Sequence, residues 1–329
     1  MLIDSHDRKI TYLRLSVTDR CNLRCSYCMP EKGAIFSKSE KLLTCSELLT
    51  IADVLISEGI DKVRITGGEP FVRNDIMDLL RHLAGKRELK QISITTNGTL
   101  IGPHIEELKE LGILNINLSM DAVHESVFNA ITRRNCFATV YSNLMKLIEL
   151  GFNIKINCVV LNGQNTDQIL PLLMLAKENK ISVRFLEEMP FNGGSRVFER
   201  IKWDYKEILS FIAEHHPNYY SLVSSESSTS LNFKIPGYAG SFGVIPSFSR
   251  TFCGSCNRIR VTATGDVITC LYAEAYLNIR DAVRVKKSSE ELGLLIREAV
   301  THKAKDGFSA QLSHIERGSQ WESMTSIGG

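Results

Sequence analysis

Residues 12–28 read YLRLSVTDRCNLRCSYC, a short β-rich run followed by three cysteines, Cys21, Cys25 and Cys28. Three thiolates can hold three of the four irons of a cubane cluster, whereas ordinary ferredoxin-type clusters use four. The missing fourth thiolate would leave one iron open to another ligand. The alternative is a zinc site with a distant fourth ligand, but zinc motifs favour paired Cys-x2-Cys arms, which the three-residue gap after Cys21 fits poorly. The spacing therefore favours an iron–sulfur cluster.

From this stretch to about residue 190, β-rich runs alternate with helical patterns. Val and Ile are frequent in the runs, as in buried parallel strands, and a Thr44–Glu47 capping box precedes the first helical pattern. Such alternation predicts a parallel sheet with right-handed crossovers, either an incomplete barrel or a doubly wound sheet. No GxGxxG follows the first strand, which removes the main reason to prefer a dinucleotide fold. The predicted strands are Thr11–Ser16, Lys62–Thr66, Gln91–Thr95, Leu114–Ser119, Asn153–Val160 and Ser182–Glu187.

Chemistry-bearing residues fall at or just after the carboxyl ends of five of these strands. In a parallel barrel those ends share one rim, where active sites form, whereas a doubly wound sheet would spread them along an edge. Singly, Ser119 could cap a helix and Met189 could fill the core. Their convergence favours an incomplete (β/α)6 TIM-type barrel over residues 1–190, followed by a C-terminal α+β extension over residues 191–329. The residues at the predicted rim are Cys21–Cys28, Gly67–Pro70, Thr95, Ser119 and Met189.

A second group of three cysteines, Cys253, Cys256 and Cys270, lies in the extension. The long gap before Cys270 reads as a β-hairpin, which returns the chain to the first two cysteines. Arg258 and Arg260 are two residues apart on its first strand and should share a face. Two cations beside three thiolates suggest a second cluster with an anionic or polar ligand. A zinc ribbon that lacks one cysteine is a less favoured alternative, given the first cluster, and two arginines on a solvated strand face are a frequent arrangement. A helical pattern over 292–299 is the last predicted element.

The composition excludes several classes of protein. The 329 residues include 39 Lys plus Arg and 37 Asp plus Glu, a net charge of +2, which argues against a nucleic-acid binder. No apolar run reaches the roughly 18 residues that span a bilayer, and the first residues lack the apolar core of a signal peptide. We therefore expect a cytoplasmic protein without a membrane partner. Cys45, Cys136 and Cys158 are scattered and are expected to be buried packing residues.

The motifs also resemble known sequences. CNLRCSYCMP and the GGEP of residues 67–70 resemble the signatures of the radical S-adenosylmethionine (SAM) enzymes. The stretch CGSCNRIRVTATGDVITCL, with YLRLSVTDRCNLRC, KVRITGGEP, TTNG, LSMDA, RFLEEMP and a final Gly-Gly in family order, resembles the GTP 3′,8-cyclases of molybdenum cofactor biosynthesis. Met120, where that family usually has Leu, is a conservative departure. Residues 192–249 match least well, and nothing is transferred to them.

The resemblance implies two 4Fe-4S clusters, with SAM on the open iron of the first and the guanine of GTP at the open iron of the second. It implies catalytic roles for Cys21, Cys25, Cys28, Arg258 and Arg260. Lys62 and Arg184 are secondary candidates for the GTP site. No Walker A motif is present, so dispersed Arg and Lys must bind the triphosphate. The cluster ligands implied are Cys21, Cys25, Cys28 and Cys253, Cys256, Cys270; the SAM contacts Tyr27, Gly68, Ser119 and Met189; the GTP contacts Arg14, Arg64, Thr95, Lys155, Arg258, Ile259 and Arg260.

The reaction implied by the resemblance begins when a 5′-deoxyadenosyl radical removes hydrogen from C3′ of GTP. The carbon radical adds to C8 of guanine, and reduction gives 3′,8-cyclo-7,8-dihydro-GTP. The implied partners are an electron donor, cyclic pyranopterin monophosphate synthase downstream and a second copy of the chain in a homodimer, with Gly328–Gly329 reaching into the site. Two other hypotheses stay open: another two-cluster radical SAM enzyme with a different substrate, and a zinc-dependent binding module without catalysis.

Overall fold

The computed structural model describes residues 1–29, 36–189, 201–316 and 323–328. Up to residue 189, strands and helices alternate as predicted, and the Thr44–Glu47 capping box is present at the start of the first helix. The elements are β1 (Tyr12–Ser16), α1 (Cys45–Ser57), β2 (Lys62–Thr66), α2 (Ile76–Ala84), β3 (Gln91–Thr96), α3 (Ile105–Glu110), β4 (Asn115–Ser119), α4 (Glu125–Thr132), α5 (Phe137–Glu149), β5 (Asn153–Val160), α6 (Ile169–Glu178) and β6 (Ser182–Glu187).

The extension adds six strands and five helices among the described residues. Two of its helices follow the last predicted one, and their sequences carry only weak amphipathic patterns. The elements are α7 (Tyr205–His215), β7 (Tyr220–Ser221), β8 (Leu231–Lys234), β9 (Ser241–Ile245), β10 (Arg258–Val261), β11 (Asp266–Ile268), β12 (Leu277–Asn278), α8 (Ile279–Arg284), α9 (Ser289–Thr301), α10 (Gly307–Glu316) and α11 (Met324–Ile327).

One sheet joins all twelve strands, in the order β12-β11-β10-β1-β2-β3-β4-β5-β6-β9-β8-β7. Strands β1 to β6 follow chain order without a reversal, so the sheet lacks the switch point of a doubly wound fold, and the predicted barrel-type α/β architecture is confirmed. The extension contributes β10 beside β1 and β9 beside β6, both parallel to their neighbours. The parallel sheet is therefore wider than the six predicted strands. The predicted domain boundary after residue 190 lies outside the described residues.

The strands alternate between two faces, and this alternation positions the site. In β1, Leu13 and Leu15 are fully buried in the apolar core with the helices, while Tyr12 and Arg14 face the opposite way and line a cavity. The same alternation recurs in β2, where Val63 joins the core. The cavity therefore receives polar side chains at every second position. Within the described ranges, no helix is both long and apolar enough to span a membrane.

Candidate active site

Both groups of cysteines line the same cavity, of about 450 Å³. The cavity extends along the parallel strands: the first group follows the carboxyl end of β1, and the second lies around the amino end of β10. Residues far apart in the chain, from Tyr12 to Thr325, meet there. The predicted residues that the structure brings into its wall are Cys21, Cys25, Cys28, Tyr27, Gly68, Ser119, Met189, Arg14, Lys62, Arg64, Thr95, Lys155, Arg184, Cys253, Cys256, Arg258, Arg260 and Cys270.

Ile259 is the predicted site residue that the structure does not bring into the wall. It lies between Arg258 and Arg260 on β10, so its side chain points to the other face, is 1% exposed and packs in the core. Among the scattered cysteines, Cys158 is fully buried as expected, but Cys45 and Cys136 are only partly buried at the edge of the core.

The first triad, Cys21, Cys25 and Cys28, forms a loop directly after β1. A turn holds this loop, in which the Cys28 and Met29 amides donate to the Cys25 carbonyl at 3.1 and 3.0 Å. Burial raises the pKa of Cys28 to about 12, with a further rise from Cys21, and burial also raises the pKa of Cys25. The three thiols are thus close enough to influence one another and are held in the protonated form until a metal displaces the protons.

Gly68 allows the turn that follows β2 to approach this loop. A Cβ atom at Gly68 would lie 2.3 Å from the carbonyl oxygen of Arg20, and the Gly68 amide donates to the Thr18 carbonyl at 2.7 Å. A side chain at this position would therefore push the cysteine loop away. The GGEP sequence has a packing role here in addition to any ligand contact.

Two buried carboxylates that the sequence analysis did not assign flank the first triad. The Asp121 Oδ2 atom accepts from the Tyr27 hydroxyl at 3.0 Å and its Oδ1 from the Val159 amide at 2.9 Å. Glu69 accepts from the Asn97 amide at 2.6 Å. Burial raises the pKa of Asp121 to about 6 and that of Glu69 to about 7. Asp121 lies in the LSMDA motif and Glu69 in the GGEP motif. The position of both motifs at the end of a predicted strand was the sequence signal that could have identified these two carboxyl groups.

The second triad, Cys253, Cys256 and Cys270, lies around the predicted hairpin. Strands β10 and β11 pair antiparallel, as predicted, so Cys270 returns to the other two. The Arg258 guanidinium donates to the Cys256 Sγ at 3.7 Å. Burial pushes the pKa of Cys256 up, but Lys303 and Arg258 outweigh it and bring the pKa down to about 7. This thiol is therefore poised to be a thiolate near neutral pH.

A group of cations lines the wall between the two triads. Arg14 lies in register with Arg64 on one side and with Arg260 on the other, so three guanidiniums occur on adjacent strands. Lys62, Lys155, Arg184 and Arg258 complete the set. Burial, then the neighbouring cations, lowers the pKa of Lys155 to about 8. Like charges held together in a cavity favour a polyanionic ligand.

Tyr12 is a cavity residue that the sequence analysis did not assign. Its ring contacts three of the cations: Lys62 Nζ lies 4.7 Å, Arg64 Cζ 5.6 Å and Arg258 Cζ 5.8 Å from the ring centroid. Burial raises the pKa of Tyr12, but Arg64 and the other cations outweigh burial and lower it to about 8. The alternating pattern of YLRLS was the signal for its inward orientation.

Residues 323–328 and the serine-rich loop at 224–230 cover parts of the cavity. The Arg260 guanidinium donates to the Gly328 carbonyl at 3.0 Å, and the Ser323 hydroxyl donates to the Cys28 carbonyl at 2.7 Å. From the loop, Ser227 accepts from Arg258 through its carbonyl. The sequence analysis assigned no site residue to this loop. Gly329 lies outside the described residues.

The donor sets fit two iron–sulfur clusters. Each triad offers three thiols whose charges would act on one another. In the part of the chain that the structure describes, no three His, Cys, Asp or Glu side chains converge on a single metal ion, as a zinc site requires. All-thiol donors without a fourth cysteine suit a larger cluster with one open iron.

Comparison with known proteins agrees with this geometry. Residues 15–176 match the model of the radical SAM superfamily, and residues 181–308 match the molybdenum cofactor synthesis C-terminal domain. The structure of SuiB from Streptococcus suis, bound to S-adenosylmethionine, has a TM-score of 0.61 at 17% identity over 88% of this chain and 68% of that one. At this identity, the likeness shows a shared fold only.

Sequence relatives place the chain more finely. It is 41% identical to molybdenum cofactor biosynthesis protein 1 of Mus musculus over 92% of this chain, but it spans about half of that relative, 48%. It is 38% identical to the GTP 3′,8-cyclase of Listeria monocytogenes serovar 1/2a over 100% of this chain and 99% of the relative. Because this identity extends over nearly the whole of both chains, the protein belongs to the GTP 3′,8-cyclase family of the radical SAM superfamily.

Proposed function

We propose that this protein cyclises GTP to 3′,8-cyclo-7,8-dihydro-GTP, the first step of molybdenum cofactor biosynthesis. The observation that carries the proposal is the cavity itself, in which a cationic wall separates two cysteine triads. A nucleoside triphosphate carries about four negative charges, which suit this wall. The ends of the cavity offer one site for SAM and another for the guanine base.

Cys21, Cys25 and Cys28 would hold the cluster that binds SAM, and Cys253, Cys256 and Cys270 the cluster that meets guanine. When bound, the first cluster and SAM supply the deoxyadenosyl radical that takes hydrogen from C3′ of the ribose. Tyr27, Gly68, Ser119 and Met189 would position SAM, and the cations with Thr95 would position GTP. The Ile259 contact would have to come from its backbone, because its side chain lies in the core.

The protein's own residues would orient GTP between the two ends and exclude water. Arg14, Arg64 and Arg260 can contact phosphate oxygens from adjacent strands without a P-loop. Arg260 already donates to a backbone carbonyl, that of Gly328, which shows that its guanidinium is directed into the cavity. Such fixed donors hold the ribose near the radical source, and this positioning is the main contribution a protein makes to radical chemistry.

The finer partners follow from the same proposal. An external electron donor would reduce the clusters, and cyclic pyranopterin monophosphate synthase would consume the product. We also propose a homodimer, a domain boundary after residue 190 and a cytoplasmic location, where free cysteines and oxygen-sensitive clusters would persist.

The test is an anaerobic reaction of the reconstituted protein with SAM, a strong reductant and GTP deuterated at C3′. We expect a cyclised nucleotide and deuterium in the 5′-deoxyadenosine, both detected by mass spectrometry. Deuterium measures hydrogen removal from C3′ directly and separates it from uncoupled SAM cleavage. Cleavage of SAM without deuterium transfer or a cyclised nucleotide would reject the cyclase in favour of a radical SAM enzyme with another substrate.

A further inference from the structure

Lys303 is a buried cation that the reaction above does not use. Lys303 follows α9 and is only 3% exposed. Its backbone amide donates to the Val300 carbonyl at 3.0 Å. A lysine is seldom fully buried without partners. This backbone hydrogen bond, just after the end of α9, fixes the position from which the Lys303 side chain extends into the interior.

The Lys303 ammonium joins the two arms of the β10–β11 hairpin. Its Nζ atom donates to the carbonyl of Arg258 at 2.9 Å and to the carbonyl of Thr269. Cys256 lies two residues before the first of these carbonyls, and Cys270 lies one residue after the second. The ammonium therefore connects the backbone at the two points from which these cysteines extend.

The same ammonium acts on both thiols. Among the cations that act electrostatically on the Cys270 and Cys256 thiols, Lys303 has the largest effect. At the first triad, the nearby cation is the partly exposed Arg24, whose guanidinium donates to the Cys21 carbonyl at 2.6 Å. The buried charged neighbours described there are the carboxyl groups of Asp121, beside Cys25, and Glu69, beside Cys21.

We propose that Lys303 is a positioning residue for the second cluster: it holds two of the ligand-bearing segments together, and its charge makes that cluster easier to reduce. The proposal rests on the proposed function, since it requires a cluster at the second triad. An added electron makes a cluster more negative, and a buried cation nearby stabilises the reduced form because the interaction is poorly screened there. Without the cation, the reduction potential should fall.

The experiment isolates the second cluster by replacing Cys21, Cys25 and Cys28 together with serine. In this background, anaerobically reconstituted Lys303→Met and Lys303→Arg are compared by iron content and by redox titration monitored with electron paramagnetic resonance. Lys303→Met removes the charge and both donors at similar volume, whereas Lys303→Arg keeps the charge. The matched control is Lys305→Met, which removes a charge from an exposed side chain in the same segment.

We expect the midpoint potential of the second cluster to become more negative in Lys303→Met, together with a faster loss of iron to a chelator. Lys303→Arg should retain most of the potential, and Lys305→Met all of it. If Lys303→Met does not accumulate, Lys303→Gln, which keeps hydrogen-bond donors but has no charge, replaces it in the redox titration. A parent-like potential and iron content in the uncharged variant would overturn the inference alone. A serine background that binds no iron would overturn the second cluster of the proposed function, and the inference with it.

Discussion

The two cysteine triads share one cavity but lie in opposite electrostatic surroundings. At the first, burial and mutual repulsion raise the pKa of Cys28 to about 12, and Asp121 contributes to the rise at Cys25. At the second, Lys303 and Arg258 outweigh burial and lower the pKa of Cys256 to about 7. Among the described residues, the buried charged neighbours are therefore acidic at the first triad, where the cation Arg24 is partly exposed, and basic at the second.

This difference suits the roles proposed for the two ends. A cluster with carboxylates nearby resists further negative charge and is the stronger reductant once reduced, as cleavage of SAM requires. A cluster with cations nearby is less reducing and attracts polar or anionic groups. On the proposed function, radical generation and substrate binding would be separated by the sign of the buried charge at each end of the cavity.

The largest expected effect comes from removing one ligand at each end. Cys25→Ser should abolish formation of both 5′-deoxyadenosine and the cyclised nucleotide, because the open iron that binds SAM would be lost. Cys256→Ser should keep SAM cleavage and lose only the cyclised nucleotide. Quantifying both products by mass spectrometry distinguishes the ends, and Cys45→Ser, outside the cavity, is the control. Full SAM cleavage by Cys25→Ser would contradict the assignment of the first cluster.

A smaller effect is expected at the cationic wall. Arg260→Ala should weaken GTP binding by about 1.5–3 kcal/mol, the usual contribution of a charged hydrogen bond. This corresponds to a loss of affinity of roughly ten- to a hundredfold, measurable by anaerobic titration calorimetry. Arg284→Ala, which removes an exposed guanidinium paired with Glu47 on the helical side, should bind GTP like the parent. An unchanged affinity in Arg260→Ala would remove this residue from the GTP site.

Much of the first region could be predicted because its signals are local. The β/α rhythm set the fold class, and parallel strands bring their carboxyl ends to one rim, so Cys21, Gly68 and Ser119 were expected together. The inward residues of the strands, such as Arg14, Arg64 and Lys155, were predicted through the family resemblance. The runs themselves, such as KVRIT, were interpreted only as buried strands, although their alternation places Lys62 and Arg64 towards the cavity.

The second region was harder because its contacts are remote in sequence. Nothing near residues 241–245 shows that β9 would pair with β6, and only the structure places β10 beside β1. Lys303 is one lysine among many in the sequence, and its partners lie 34 and 45 residues away. Local propensity carries no information on such pairings, so the cationic character of the second triad could not be foreseen in full.

The pH dependence of GTP binding should separate the charges of the barrel strands from those of β10. Lys155 and Tyr12 lie on barrel strands and have pKa values of about 8, whereas the pKa of Arg260, lowered by burial and by Arg14, is about 9. Burial also lowers the pKa of Lys62 on β2. Between pH 7.5 and 8.5, both Lys155 and Tyr12 are expected to titrate. Triphosphate would raise both pKa values, so their contribution to affinity is complete below pH 8 and is lost above it.

We expect GTP affinity to fall roughly three- to tenfold from pH 7.5 to 8.5, according to whether one or both groups titrate. Above pH 8, neutral Lys155 attracts the triphosphate less and ionised Tyr12 repels it, so the two effects have the same sign. Calorimetry across this range should give a flatter profile for Lys155→Arg, which keeps its charge, and for Tyr12→Phe, which keeps the ring beside the cations. Lys146→Arg, on the exposed face of α5, should follow the parent. If the double variant Lys155→Arg/Tyr12→Phe were as steep as the parent, Lys155 and Tyr12 would not be the groups whose titration weakens GTP binding, and this prediction would be wrong.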